Sequence, residues 1–195
     1  MRPTTLMITV AITSLFGSAA AVGDTVFNSW IQSSARGYNG IMTINQASGV
    51  GQQQVNARAL AAGCDAQAVI NVEQTRGVNT SDHLQINTSA HIKGDSFSRG
   101  NGVLGVNQGA GINNQQINAF RIEMNSMPES LDDSRLALSA APSSIVSGAV
   151  APHSGQRQVS IDDQAFADSR GVVQLNQSAG VGNRMVNNLG VRIMK

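Results

Sequence analysis

Apolar residues recur at two-residue spacing in short bursts along this chain. That is the period of an extended strand with one face turned inward. Three of the bursts share one layout. Residues 40–58 read GIMTINQASGVGQQQVNAR, residues 102–120 read GVLGVNQGAGINNQQINAF, and residues 171–189 read GVVQLNQSAGVGNRMVNNL. The starts lie 62 and 69 residues apart. Five columns are identical in all three copies: Gly40/Gly102/Gly171, Asn45/Asn107/Asn176, Gln46/Gln108/Gln177, Gly49/Gly111/Gly180 and Asn56/Asn118/Asn187. Apolar columns match as well, among them Ile44/Val106/Leu175 and Val55/Ile117/Val186. A repeat at this spacing makes the repeat the structural unit.

Each copy predicts strand, turn, strand. Leu104 and Val106 alternate before Asn107-Gln108, and Gly109-Ala110-Gly111 then reads as turn chemistry that tolerates positive φ. Gly49, Gly111 and Gly180 are the expected turn glycines. In the second half, Asn114, Gln116 and Asn118 share one face of an extended strand, as do Gln52, Gln54 and Asn56. In the third copy that row is Asn183, Met185 and Asn187, so it is partly broken.

A side-chain amide carries both donors and an acceptor. Identical amides stacked in register at strand spacing hydrogen-bond along the stack, while identical apolar residues fill a dry interior. The expected ladder residues are Asn45, Gln46, Asn56, Asn107, Gln108, Asn118, Asn176, Gln177 and Asn187. The fold class that follows is mainly β, a repeat-based β-solenoid or β-arch stack. The alternative is an antiparallel β-sheet domain in which the repeats are surface hairpins.

Between the repeats, Ala68, Ile70 and Val72 alternate with Val69, Asn71 and Glu73, and Leu84 and Ile86 continue the β-like pattern. Residues 126–155 hold three of the four prolines (Pro128, Pro142, Pro152) and many Ser and Ala, which reads as a linker. The expected organisation is a signal peptide at 1–21, β repeats one and two at 22–125, the Pro/Ser/Ala linker at 126–155 and β repeat three at 156–195. The leader has Arg2 as its positive region, an apolar run from Leu6 to Phe16 and the small residues Ser18-Ala19-Ala20-Ala21. That run is too short to span a bilayer, and no other apolar stretch approaches the necessary length. The expectation is therefore a secreted chain, periplasmic to extracellular or at the cell surface, with no transmembrane segment after processing.

Composition sharpens this picture. Of 195 residues, 33 are Asn or Gln and 20 are Gly, while aromatics make up only 4%. A conventional aromatic core would be thin. Charged residues are 13%, about half the usual share. With a net charge of +1 and no polybasic stretch, nothing supports nucleic acid as a partner. Cys64 stands alone, so it forms no internal disulfide and no Cys-based metal site. His83, His91 and His153 and the pairs Asp132-Asp133 and Asp162-Asp163 lack any metal-binding or catalytic spacing, and no Gly-x-Ser-x-Gly elbow is present. The reading is of a non-enzyme with no metal and no cofactor.

With repeats, leader and amide content in place, the chain resembles secreted functional-amyloid components of bacterial biofilms. The nearest resemblance is to the Fap-type system, whose short repeats rich in Gly, Asn and Gln are separated by long, less similar linkers. It is similar in kind to curli subunits. The phrase at 102–119, Gly-Val-Leu-Gly-Val-Asn-Gln-Gly-Ala-Gly-Ile-Asn-Asn-Gln-Gln-Ile-Asn-Ala, carries most of the likeness. The resemblance implies a fibre subunit, or a minor, nucleating or accessory component of such a system. Its partners would be its own copies or other fibre subunits, with outer-membrane export machinery as a further partner. The alternative function is a secreted β-domain binding module or adhesin that engages a fibre or surface without forming fibres itself, its edges open to strand addition.

Overall fold

The structure, a computed structural model, describes residues 25–63, 68–74, 86–124 and 155–193. The expected leader, Cys64, Leu84, the histidines His83 and His153, the pair Asp132-Asp133 and residues 126–154 of the expected linker lie outside the described residues.

Nine strands account for most of the described chain: β1 (Thr25–Gln32), β2 (Asn39–Val50), β3 (Gln53–Ala62), β4 (Ile86–Lys93), β5 (Asn101–Ile112), β6 (Gln115–Met124), β7 (Arg157–Ile161), β8 (Arg170–Val181) and β9 (Arg184–Ile193). They form three open sheets of three strands, in the orders β1-β4-β7, β2-β5-β8 and β3-β6-β9. Every pairing is parallel. Each of the three long segments thus gives one strand to each sheet and forms one tier.

The register follows the sequence columns. Asn45 pairs with Asn107 and Asn107 with Asn176. Asn56 pairs with Asn118 and Asn118 with Asn187. Within one repeat, β2 and β3 do not pair with each other; they face across two layers. The antiparallel hairpin arrangement is therefore not the one adopted. The physical reason lies in the columns: only parallel, in-register pairing sets like beside like, whereas a hairpin would place unlike residues opposite one another.

The β2-β5-β8 sheet is the middle of three layers. On one side Gln46 reaches the Trp30 carbonyl of the β1-β4-β7 sheet. On the other, Asn45 meets Asn56 of the β3-β6-β9 sheet. Odd and even positions of the middle sheet thus face different interiors. Toward the first sheet an apolar cluster of Ile31, Ile92, Phe97, Leu104 and Val106 is buried together with Tyr38, beside the Gln46, Gln108 and Gln177 side chains. Phe97 and Phe166 stack with ring centroids 5.2 Å apart, bridging the second and third tiers at the corner. Toward the third sheet the filling is amide. An aromatic-poor composition suffices because short identical side chains, 4.7–4.9 Å apart along a column, leave little space to fill.

The middle tier is covered on both sides, and from Leu104 to Phe120 every residue is buried. The end tiers repeat the same sequence motif with exposed apolar positions such as Ile41 and Val173. Residues 68–74 do not join a ladder. They lie along the outward face of β6, with Ala68 and Gln74 turned inward and Val69, Asn71 and Glu73 outward. The Ala68 N–H donates to Glu123 Oε1, and Gln74 Nε2 donates to the Gln116 carbonyl.

Candidate functional site

The amide columns come together as three ladders. In the first, Asn107 Nδ2 donates to Asn45 Oδ1 and Asn176 Nδ2 to Asn107 Oδ1, each at 3.0 Å. In the second, Asn118 Nδ2 donates to Asn56 Oδ1 and Asn187 Nδ2 to Asn118 Oδ1, again at 3.0 Å. These two ladders face each other between the middle and third sheets and are cross-linked: Asn56, Asn118 and Asn187 donate to Asn45, Asn107 and Asn176 of their own tier at 2.7–3.0 Å. The third ladder points the other way, into the space below the first sheet. There Gln108 Nε2 donates to Gln46 Oε1 at 2.9 Å and Gln177 Nε2 to Gln108 Oε1 at 2.8 Å.

Backbone carbonyls of the facing sheets fix which end of each amide points where. Asn107 Nδ2 also donates to the Val55 carbonyl, and Asn176 Nδ2 to that of Ile117. Gln108 Nε2 donates to the carbonyls of Ser29 and His91, and Gln177 Nε2 to those of Ala90 and Ser160. Flipping any of these amides would set oxygen against oxygen. Asn107, Gln108 and Asn118 are fully buried, so each depends on these partners for its polar atoms.

Gly49, Gly111 and Gly180 do not sit in the reversal. They lie inside β2, β5 and β8, and the chain turns two residues later, at Gly51, Asn113 and Gly182, which all have positive φ. Their own φ values are 117°, 118° and 132°. A Cβ on Gly49 would fall 1.8 Å from the Gly111 carbonyl oxygen, and one on Gly111 would fall 2.0 Å from that of Gly180. The column is glycine because the side-chain direction runs along the stacking axis into the next tier. The Gly40/Gly102/Gly171 column has the same cause: a Cβ on Gly102 would lie 2.1 Å from the Gly40 oxygen. Its invariance was visible in the sequence, but only the stacking explains it.

The second-strand row read from the sequence also stacks, and further residues not singled out there join it. Gln54 Nε2 donates to Gln116 Oε1, and that column ends at Met185, whose sulfur lies 3.9 Å from Gln116 Nε2. Ile31, Ile92 and Ile161 form an identical column in the first sheet, a signal present in the sequence but one residue wide. Glu123 is buried on the outward face of β6. It accepts two hydrogen bonds from Arg192 on the third tier, at 2.6 and 2.9 Å, besides the one from Ala68. Burial pushes its carboxyl up, but the Arg192 and Ala68 hydrogen bonds and the charges of Arg192 and Arg121 outweigh that and hold it below the usual glutamate range. His91 pairs through Nδ1 with Ser160 Oγ; burial, helped by the charge of Lys93, pushes its pKa down. Arg58 lies inside the amide layer over Gly105, donates to the Ala57 and Asn118 carbonyls, and is pushed down by burial. Among the described residues, no group of three His, Cys, Asp or Glu side chains gathers to hold a metal ion.

Three parallel sheets joined by hydrogen-bonded ladders of identical amides, with outer strands that lack a neighbour among the described residues, share the ladder chemistry of cross-β structure. The chain belongs to the functional amyloid protein FapB/FapC family, whose sequence model matches residues 13–194. It is thus a functional amyloid-related protein. No solved structure matches it.

Proposed function

We propose that this chain is a structural or accessory component of an extracellular amyloid fibre in biofilm matrix and adhesion, and that it assembles through its Gly/Asn/Gln repeats as a β-solenoid. One observation carries this reading: the three tiers are in register with one another, and among the described residues nothing is stacked on the outermost two. Among the described residues, β1, β2 and β3 on one side, and β7, β8 and β9 on the other, each lack one neighbour. Soluble proteins blunt such edges with charge, proline or a covering element. Here Ile41, Val50 and Leu60 are about half exposed on the first tier, and Ile161 and Val173 on the third. A further tier of the same sequence would cover them as the middle tier is covered.

The leader, read as a signal peptide at 1–21, fits export to the periplasm and beyond, and the 126–155 segment then serves as a tether between the second and third tiers. The ladder amides and the Gly49/Gly111/Gly180 column are the residues that make one tier a template for the next. The family and the repeats support fibre components generally; major, minor and nucleating roles share this chemistry. The test uses the chain from Val22 to Lys195. Purified, it forms thioflavin-positive, detergent-resistant fibres with a meridional reflection at about 4.8 Å, or it shortens the lag of a partner fibre subunit. A chain that stays monomeric and leaves such a subunit's growth unchanged would overturn the proposal.

A further inference from the structure

The three ladders share a direction, although the Gln54–Gln116 contact beside them runs the other way. In all three, the amide nitrogen of the later tier donates to the amide oxygen of the earlier one. The first tier therefore presents the donor end and the third tier the acceptor end. At the acceptor end, Gln177 Oε1 is buried and has no hydrogen-bond partner among the described residues. The equivalent atom one tier back, Gln108 Oε1, accepts from Gln177. At the donor end, Gln46 Nε2 gives one hydrogen to the Trp30 carbonyl. Its second amide hydrogen has no ladder oxygen to meet, whereas Gln108 Nε2 has Gln46 Oε1. On the same edge strand Gln174 Oε1 is likewise buried with no partner among the described residues, in a column that runs through Gly105 to Thr43.

We infer that the occupant of the third-tier edge is a second copy of this chain, docked by its first tier, so that growth is head-to-tail with one donor end and one acceptor end. This rests on the stacking reading above and adds its polarity. Gln46 of the incoming copy would donate to Gln177 Oε1, closing the one open position in that ladder. The Asn45 and Asn56 columns would continue through Asn176 and Asn187 in the same sense. The opposite arrangement, third tier on third tier, requires one copy to be turned over, which breaks the parallel in-register columns and leaves Gln177 Oε1 without the donor that Gln46 would bring. First tier on first tier breaks the register in the same way and leaves the outward hydrogen of Gln46 without a ladder oxygen. A desolvated polar group left in that state is costly, so the mismatch discriminates between the two arrangements.

The geometry offers a charge-swap test in which the fold of each copy is largely spared. Gln46→Glu keeps the oxygen that accepts from Gln108 Nε2 and from Ser29 Oγ, and removes the outward donor together with the hydrogen bond to the Trp30 carbonyl, a loss that the urea midpoint reads separately. Gln177→Lys keeps a donor for the Ala90, Ser160 and Gln108 oxygens, and removes the outward acceptor. Fibre lag is measured by thioflavin fluorescence on residues 22–195, with the urea midpoint of each monomer as the folding control. Each single variant should lengthen the lag by about tenfold, since each leaves a buried polar atom facing its like. The double variant should return close to the wild-type lag, because the introduced ammonium at position 177 then meets the introduced carboxylate at position 46 of the next copy.

A double variant slower than either single would mean that like ends meet, which overturns the polarity while leaving fibre formation intact. Unchanged lag in all three variants would mean that growth uses another surface, with the same consequence. Failure of the wild-type chain to assemble or to act on fibre growth would instead overturn the proposed function. If Gln177→Lys loses its urea transition, Gln46→Glu alone still decides. Wild-type seeds pre-incubated with it and then fed labelled wild type should elongate from one end only; elongation from both ends would overturn head-to-tail growth.

Discussion

Replacing Asn107 with leucine removes the centre of the most cross-linked ladder. Asn107 Nδ2 donates to Asn45 Oδ1 and to the Val55 carbonyl. Its Oδ1 accepts from Asn118 and Asn176. Four hydrogen bonds are lost, each worth about 0.5–1.5 kcal/mol net. Asn118 and Asn176 keep their other acceptors, the Val106 and Ile117 carbonyls, so the loss falls short of four desolvated orphans. Leucine regains part of this by burying apolar surface, but its added bulk is forced into a site with no exposure, and overpacking of this kind costs about 1–3 kcal/mol. The net expectation is a destabilisation of about 2–5 kcal/mol, or a shift of about 1–2 M in the urea midpoint of the monomer. Asn45→Leu is the control. Asn45 stands on the open end and accepts from Asn56 and Asn107, with a long 3.5 Å contact to the Gln54 carbonyl as its own donation. Solvent takes over much of what is lost, so the shift should be less than half as large. In a stacked fibre the two positions become equivalent, and the two variants should then slow growth alike. Equal and negligible shifts in the monomer would show that the amides are not bonded to one another, and the ladder argument would fail.

Gly111→Ala should cost more than Gly37→Ala although both positions have positive φ: a Cβ at 111 strikes the Gly180 carbonyl at 2.0 Å, whereas nothing lies within 4 Å of one at 37. Thermal unfolding should show a loss of about 1 kcal/mol at Gly37 and several times that at Gly111, and equal losses would refute the close-approach account. Glu123, held below its ordinary value of 4.5, stabilises the fold above that pH, and the contribution is lost as pH falls through its lower folded value; Glu123→Gln should flatten stability measured from pH 7 to pH 3, and an unchanged pH profile would refute the role of the Arg192 pair. Phe97→Ala should cost about 3–5 kcal/mol in urea unfolding, because its ring is fully buried against Phe166 and its removal leaves a void; a cost below about 1 kcal/mol would show that the corner collapses.

What the sequence determined by itself was the set of columns. Extended structure followed from two-residue alternation at Leu104 and Val106, and the equivalence of three distant segments followed from ungapped identity at Asn45/Asn107/Asn176 and its companions. Those are local or one-dimensional facts, and the chain carries them without folding. The strands of the first sheet were not legible, because β1, β4 and β7 share only the Ile31/Ile92/Ile161 column and their remaining positions, such as Trp30, His91 and Ser160, differ tier by tier. Parallel pairing, the three-layer order and the packing of residues 68–74 on β6 depend on partners at 60 residues and more or on a face that no local pattern marks. The function of the invariant glycines was likewise a tertiary matter: only when Gly111 lies over Gly180 does a missing side chain become a requirement of stacking rather than of a turn. Glu123 and Arg192 show the same division, since the two residues are unremarkable until the 69-residue register places them in adjacent tiers, where burial makes each depend on the other's charge.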